Sequence, residues 1–198
     1  MRDEVMKLLA VEQGHFGFES GHHGTTWMNL ETLFLHPGRI EPLAAELADR
    51  LRSCGAEAVC GPLVEGAFLA LMVARRLGLP FTYSERFEES AEQQLYPYGY
   101  RIPRMLHPHV RGKRVLIVND VINAGSAVRG TATELEQLGA TVVALGAMLV
   151  LGPWTARFAE EKRLQLAVLA EEKNELWEPA GCPLCASEVP LQRRIQQT

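Results

Sequence analysis

The chain has 198 residues, 47% of them hydrophobic and 22% charged, with 20 basic against 24 acidic side chains for a formal net charge of −4. That is the composition of an ordinary globule long enough to bury a core, and its weak negative charge excludes an electrostatic nucleic-acid binder. No apolar run approaches the roughly 18 residues of a membrane span, the N-terminus lacks a signal peptide's apolar core, and four cysteines are too few for a disulfide scaffold, so a cytoplasmic, reducing setting is expected.

In chain order, residues 3–11 place Val5, Met6, Leu8 and Leu9 at helical spacing. Residues 14–21 alternate aromatic and small side chains, which suits a hairpin strand, and Trp27 to Leu30 continues it. His22 and His23 are adjacent. Neighbours on a strand point to opposite faces, so the two do not readily share an ion, and ordinary turn histidines are expected. A helix follows from about Pro42 to Cys54, with Leu43, Leu47 and Leu51 on one face. Ala56 to Cys60 reads as a buried strand that ends in Gly61-Pro62-Leu63-Val64-Glu65-Gly66, and Ala67 to Leu77 as an apolar helix. Leu79 to Tyr83 is a short strand, the acidic stretch Phe87 to Gln94 a mobile loop, and residues 96–102 its return strand.

The stretch Arg114 to Ala127 organises the rest. Val115 to Val118 is an unbroken apolar run rich in β-branched residues, as in a strand buried on both faces. Asp120 sits where this strand leaves the sheet; the small-residue turn Asn123-Ala124-Gly125-Ser126 follows, and Val128, Ala132, Leu135 and Leu138 then line one helix face. A strand, a tight turn and a helix N-terminus together make an anion site, because the first helical amides lack internal partners and the helix dipole favours negative charge there. Gly125 permits close approach of the backbone, and Ser126 offers a hydroxyl as N-cap or as a donor to phosphate. The Asp120 carboxylate suits a sugar hydroxyl or a magnesium-bound water. Downstream, Ala140 to Leu151 and Leu164 to Leu169 read as strands and Pro153 to Lys162 as a helix, with an irregular stretch at 177–185. Strands alternating with helices imply a mostly parallel sheet covered on both faces.

The segment Val115 to Ala127 resembles the signature of type I phosphoribosyltransferases, in which an apolar strand, two acidic residues and a short turn bind the ribose and 5-phosphate of phosphoribosyl pyrophosphate (PRPP). Gly14-His15-Phe16, Ser20-Gly21-x-His23 and Glu31-x-Leu33-Phe34-x-x-Pro37 are similar to the N-terminal part of the orotate phosphoribosyltransferases. The resemblance implies one α/β domain over 1–198, with a hood over the base formed by about 1–40 and the C-terminal segment. It implies PRPP and a nucleobase as substrates, Mg²⁺ as cofactor, and a homodimer with neither nucleic-acid nor membrane partners. Asp120 would hold the ribose and, through water or the ribose, the metal. Asn119, Val121, Ile122 and residues 123–127 (Asn123, Ala124, Gly125, Ser126, Ala127) would line the PRPP site, with Val64, Glu65 and Gly66 on the pyrophosphate loop and Arg86 as the catalytic cation.

Several positions depart from that pattern. Asn119 stands in the place of the first acid, and able to bond a hydroxyl it brings no charge. Glu65 and Glu19 stand where relatives carry lysine or, at the pyrophosphate loop, glycine. Two unit charges about 5 Å apart at an effective dielectric of about 20 repel by roughly 3 kcal/mol, so Glu65 must point away from pyrophosphate or bind its metal. No lysine occurs between Pro80 and Gly112, which leaves Arg86, Arg101 and Arg104 as candidate cations. Val150-Leu151-Gly152 lacks the arginine that contacts the carboxylate of orotate in that group, so the base stays open. Loss of these charges also admits a non-catalytic alternative, a PRPP- or nucleotide-sensing protein that keeps the cradle. A Rossmann domain is disfavoured, since no Gly-x-Gly-x-x-Gly follows the first strand. Finally, Cys182-x-x-Cys185 has metal-ligand spacing but supplies half a zinc site. Cys54 and Cys60 or a second subunit would have to supply the rest, and a reduced turn is the expected state.

Overall fold

The computed structural model describes residues 1–88, 95 and 97–193. A short helix α1 (Arg2–Met6) leads into the hairpin β1 (Ala10–Gly17) and β2 (His23–Asn29). Helix α2 (Pro37–Leu51), strand β3 (Ala58–Pro62), helix α3 (Glu65–Leu77), strand β4 (Phe81–Glu88) and strand β5 (Tyr98–Arg101) follow. After the one-turn α4 (His107–Val110) come β6 (Arg114–Ile122), α5 (Ser126–Gln137), β7 (Thr141–Leu151), α6 (Trp154–Lys162) and β8 (Gln165–Glu172). The C-terminal part adds β9 (Leu176–Trp177), α7 (Pro183–Ala186) and β10 (Gln192–Arg193).

Among the described residues the strands form a six-stranded sheet in the order β5-β4-β3-β6-β7-β8 and a four-stranded one in the order β10-β1-β2-β9. All pairings in the larger sheet are parallel except β4 with β5 at its edge. This is the expected mostly parallel sheet flanked by helices. The reason lies in β6: Leu116 and Val118 pack with α2 and α3 on one face, while Val115 and Ile117 pack with α5 and α6 on the other. A strand that feeds two cores has no face for a polar residue, hence its continuous apolar run. From β3 the chain steps outward to β4, whereas from β6 it steps the opposite way to β7 and β8. The carboxyl ends of β3 and β6 therefore flank the point where strand order reverses, the place where open sheets open a crevice.

Five local expectations are corrected. Helix α2 begins at Pro37, not at about Pro42, and carries Pro42 inside it; it ends at Leu51, short of Cys54. Residues 10 and 11, expected to end a helix, open β1 instead, and α3 begins at Glu65 and not at Ala67. Phe87 and Glu88, expected in a mobile loop, pair with Gly99 and Tyr98 in the antiparallel edge, while residues 89–94 lie outside the described residues. The stretch at 177–185, expected to be irregular, contributes Trp177 to β9 and most of α7. Among the described residues no helix is long and apolar enough to cross a membrane.

Candidate active site

A cleft of about 220 Å³ opens at the strand-order reversal. Its floor is the segment 119–128 at the end of β6, one wall is the loop 62–66 after β3, and Leu151 closes the end of β7. The small sheet supplies the roof through Phe18, Glu19, Ser20, Thr26, Trp27 and Met28. The sequence candidates Val64, Glu65, Gly66, Arg86 and Asn119 to Ala127 all line this one cleft. The roof aromatics were not singled out from sequence. Phe18 and Trp27 stack at 6.2 Å across the hairpin, and the signal that could have marked them is a pair of large apolar side chains beside polar turn residues.

The turn is shaped for an anion. Gly125 is the N-cap of α5 with φ 78°, a left-handed conformation that favours glycine, and a Cβ there would run into the ring of Trp154. Ser126 is thus the first helical residue and not the N-cap, and no side chain caps α5. The amides of Gly125, Ser126 and Ala127 donate to no acceptor among the described residues, while Gly125 O accepts from Arg129 N at 2.8 Å. Three bare N–H groups at a helix start offer both hydrogen bonds and positive potential to a bound oxyanion. The turn itself is braced by Asn174 Nδ2, which donates to Asn123 Oδ1 at 3.0 Å.

Beside it, Asp120 is 4% exposed, and its Oδ2 is buried with no hydrogen-bond partner among the described residues. Burial pushes its carboxyl up to about 7; the Val121 amide opposes this and the charge of nearby Glu65 adds to it. Such a carboxylate is completed by a hydroxyl donor or a cation. Asn119 is held by its own loop: Nδ2 donates to Val121 O at 2.9 Å, and Oδ1 packs so close to Gly66 that no side chain fits there. Glu65 opens α3, where the helix dipole favours its charge, and it faces the cleft.

Arg86 is not an isolated cation. Its guanidinium pairs with Glu19 at 3.1 Å and sits 4.7 Å from the ring centre of Tyr98. The other oxygen of Glu19 accepts from Tyr100 OH at 2.6 Å. Burial, reinforced by Glu19, raises the pKa of Tyr100, so the phenol stays a donor. Glu19 therefore fastens the small sheet to β4 and β5, which removes the repulsion its charge would otherwise bring. Arg101 is exposed and near Glu85 (3.7 Å), and neither it nor Arg104 lines the cleft. Among the described residues the cleft carries three carboxylates, Glu19, Glu65 and Asp120, against the single guanidinium of Arg86.

Cys182 and Cys185 meet neither Cys54 nor Cys60, and no second subunit is required. They converge instead on His15 and His23, outside the cleft. His22 turns away, its Nδ1 3.1 Å from Ser20 Oγ, in keeping with the opposite-face argument for adjacent histidines.

A family model described as the phosphoribosyl transferase domain matches residues 36–169. The orotate phosphoribosyltransferase of Desulforamulus reducens is 30% identical over 193 residues, 96% of this chain and 94% of that protein. That of Caldanaerobacter subterraneus subsp. tengcongensis is 29% identical over 187 residues, covering 93% and 90%. Among solved structures, adenine phosphoribosyltransferase from Thermoanaerobacter pseudethanolicus superposes with a TM-score of 0.65 at 17% identity, covering 86% of this chain and 99% of that one. Orotate phosphoribosyltransferase from Aeropyrum pernix gives 0.61 at 22% identity, covering 85% and 92%. At these identities the two structures speak for the fold alone. A family model spanning more than half the chain, with a relative at 30% identity along nearly its whole length, makes this protein a member of the phosphoribosyl transferase family.

Proposed function

We propose that the cleft transfers the 5-phosphoribosyl group of PRPP to a nucleobase with release of pyrophosphate, and that the base is orotate or a close analogue. The observation that carries this reading is the unpartnered Asp120 oxygen set beside three unpaired amides, one group for a sugar and the other for a phosphate. In it the amides of residues 125–127 and the Ser126 hydroxyl take the 5-phosphate, and Asp120 accepts from a ribose hydroxyl. Arg86 stands on the pyrophosphate side and exchanges Glu19 for the leaving oxygens. The base lies under Phe18, Trp27 and Met28, aimed so that its nitrogen bonds to the anomeric carbon as the carbon–oxygen bond to pyrophosphate breaks. Placement and electrostatics supply the acceleration, with no covalent enzyme intermediate.

A hard dication fits this cleft. Glu65 and Asp120 are oxygen donors, Asp120 has a vacant lone pair, and the excess of carboxylates would repel a bare polyanion. These two residues would hold Mg²⁺, directly or through water, and the ion would supply charge neutralisation of the pyrophosphate. Orotate is favoured by the names of the relatives at 29–30% identity. The same relatives are named as enzymes and lend nothing to the sensing alternative. A homodimer is supported by exposed Leu35, Leu63, Phe68 and Leu71, an apolar surface around α3 that water alone would cover poorly. The test is pyrophosphate release from PRPP and Mg²⁺ with orotate, uracil, adenine, guanine and hypoxanthine in parallel. Release with orotate is the expected result; silence with every base would overturn the assignment, and release with a purine alone would overturn the choice of base.

A further inference from the structure

Where the N-terminal hairpin meets the C-terminal segment, four side chains of metal-binding chemistry point at one another. His15 is on β1, His23 opens β2, Cys182 caps α7 and Cys185 lies within it, and their ligand atoms all fall within 4.8 Å of each other. His15 Nε2 is 3.3 Å from His23 Nδ1, 3.4 Å from Cys182 Sγ and 3.7 Å from Cys185 Sγ, and Cys185 Sγ is 3.2 Å from His23 Nδ1. A tetrahedral Zn²⁺ with the usual bond lengths to nitrogen and sulfur separates two nitrogens by about 3.3 Å and a nitrogen from a sulfur by about 3.6 Å. These four contacts lie within about 0.4 Å of those spacings.

Two further features distinguish it from a chance meeting of thiols and imidazoles. The other ring nitrogen of His15, Nδ1, lies 2.7 Å from the carbonyl oxygen of Val189. A carbonyl only accepts, so Nδ1 carries a proton, and Nε2 is the ring nitrogen turned into the cluster. This is the outer hydrogen bond that orients a metal-bound histidine. Moreover His15, His23 and Cys182 are buried, at 1%, 7% and 3% exposure, which keeps water from competing for an ion.

We propose that His15, His23, Cys182 and Cys185 form a structural zinc site that staples the small sheet closed. Two thiolates and two neutral imidazoles in a tetrahedral array select Zn²⁺ over harder cations. Binding releases one proton from each cysteine; the two thiolate charges then balance the dication, and no electron moves. All four positions belong to the protein, so no coordination site is open for catalysis. The staple ties β1 and β2 to the segment that brings β10 alongside β1, and that sheet carries Phe18, Glu19 and Ser20 over the cleft. The site is independent of the proposed transfer: metal content and activity can fail separately.

The experiment uses the full chain purified under reducing conditions without chelator. Elemental analysis should find about one zinc per chain, with the exposed Cys185 protected from a thiol reagent until the zinc is stripped. Cobalt substitution should give the intense visible bands and thiolate charge-transfer absorption of a tetrahedral sulfur–nitrogen site. Cys185→Ser, at the exposed position, should lower zinc content at least tenfold. A high-affinity chelator should lower the melting temperature of the wild type and leave that of Cys185→Ser unchanged. If the variant does not fold, the wild-type cobalt spectrum decides alone. Zinc well below one per chain after growth with added zinc, Cys185 reacting as fast before the zinc is stripped as after, or a weak octahedral cobalt spectrum would each overturn the proposal.

Discussion

Replacing Asp120 by asparagine should change how stability depends on pH, and the size of the change follows from the site. The carboxyl moves from the ordinary aspartate value of 3.8 up to about 7, because burial, with Glu65 in support, disfavours the charge. The folded state therefore holds a proton that the unfolded state has lost between those two values. Stability from this group is complete below pH 3.8 and falls as pH rises, levelling off above about 7. From pH 5 to pH 8 the ligand-free wild type crosses about two pH units of that window. At about 1.4 kcal/mol each, it should lose roughly 3 kcal/mol that Asp120→Asn does not lose. For a protein of this size that difference is roughly 5–10 °C in melting temperature. Urea unfolding of both proteins at pH 5 and pH 8 without ligand measures it as a difference of differences, which cancels the constant cost of the extra amide hydrogens. Saturating PRPP and Mg²⁺, at about 100 times the dissociation constant, should return about 2.7 kcal/mol to the wild type and little to the variant. Parallel pH profiles for the two proteins would refute the reasoning, since they would mean that Asp120 is already satisfied.

Three other outcomes test the neighbouring parts of the site. Glu65→Gln should move the pH step of Asp120 to lower pH, because it removes one of the two causes that hold the carboxyl up; an unmoved step in the same urea series would detach Glu65 from the site. Gly125→Ala should cost about 2–4 kcal/mol, from a left-handed conformation and overpacking against Trp154, and it should weaken PRPP binding by calorimetry; a neutral variant would mean that the turn relaxes freely. Tyr100→Phe should lose about 1–2 kcal/mol with the hydrogen bond to Glu19, read from the urea midpoint at unchanged slope. An unchanged midpoint there would argue against the contact.

What could be read from sequence was local. Asp120, the turn 123–126 and the start of α5 are consecutive, so a periodicity switch and two small residues announce them, and the structure gathers every candidate so named into one cleft. The partners of those residues were not legible. Glu19 is separated from Arg86 by 67 positions and from Tyr100 by 81, and His15 from Cys182 by 167. Nothing in local composition marks such pairs, and the Cys-x-x-Cys spacing announced only half of its cluster. The errors in element bounds have the same origin. Phe87 and Glu88 look like loop because β4 there runs beyond its pairing with β3 and keeps only β5 as a neighbour, which leaves it half solvated and tolerant of charge, and Pro42 looks like a helix start although the helix around it is held by packing of Ile40, Leu43 and Leu47.

The roof of the cleft joins remote parts of the chain: β1 takes β10 as its neighbour at Phe16↔Gln192, and β2 takes β9 at His23↔Trp177. On the ribosome, residues 10–29 emerge long before residues 176–193. At the usual pace of elongation the hairpin waits on the order of 10–35 s with both outer edges unpaired. The strands of the parallel sheet, from Ala58 to Glu172, all emerge in between, so the roof over the cleft is completed only after they have left the ribosome. Slowing translation late in the message would prolong the interval in which those edges can pair with another nascent chain.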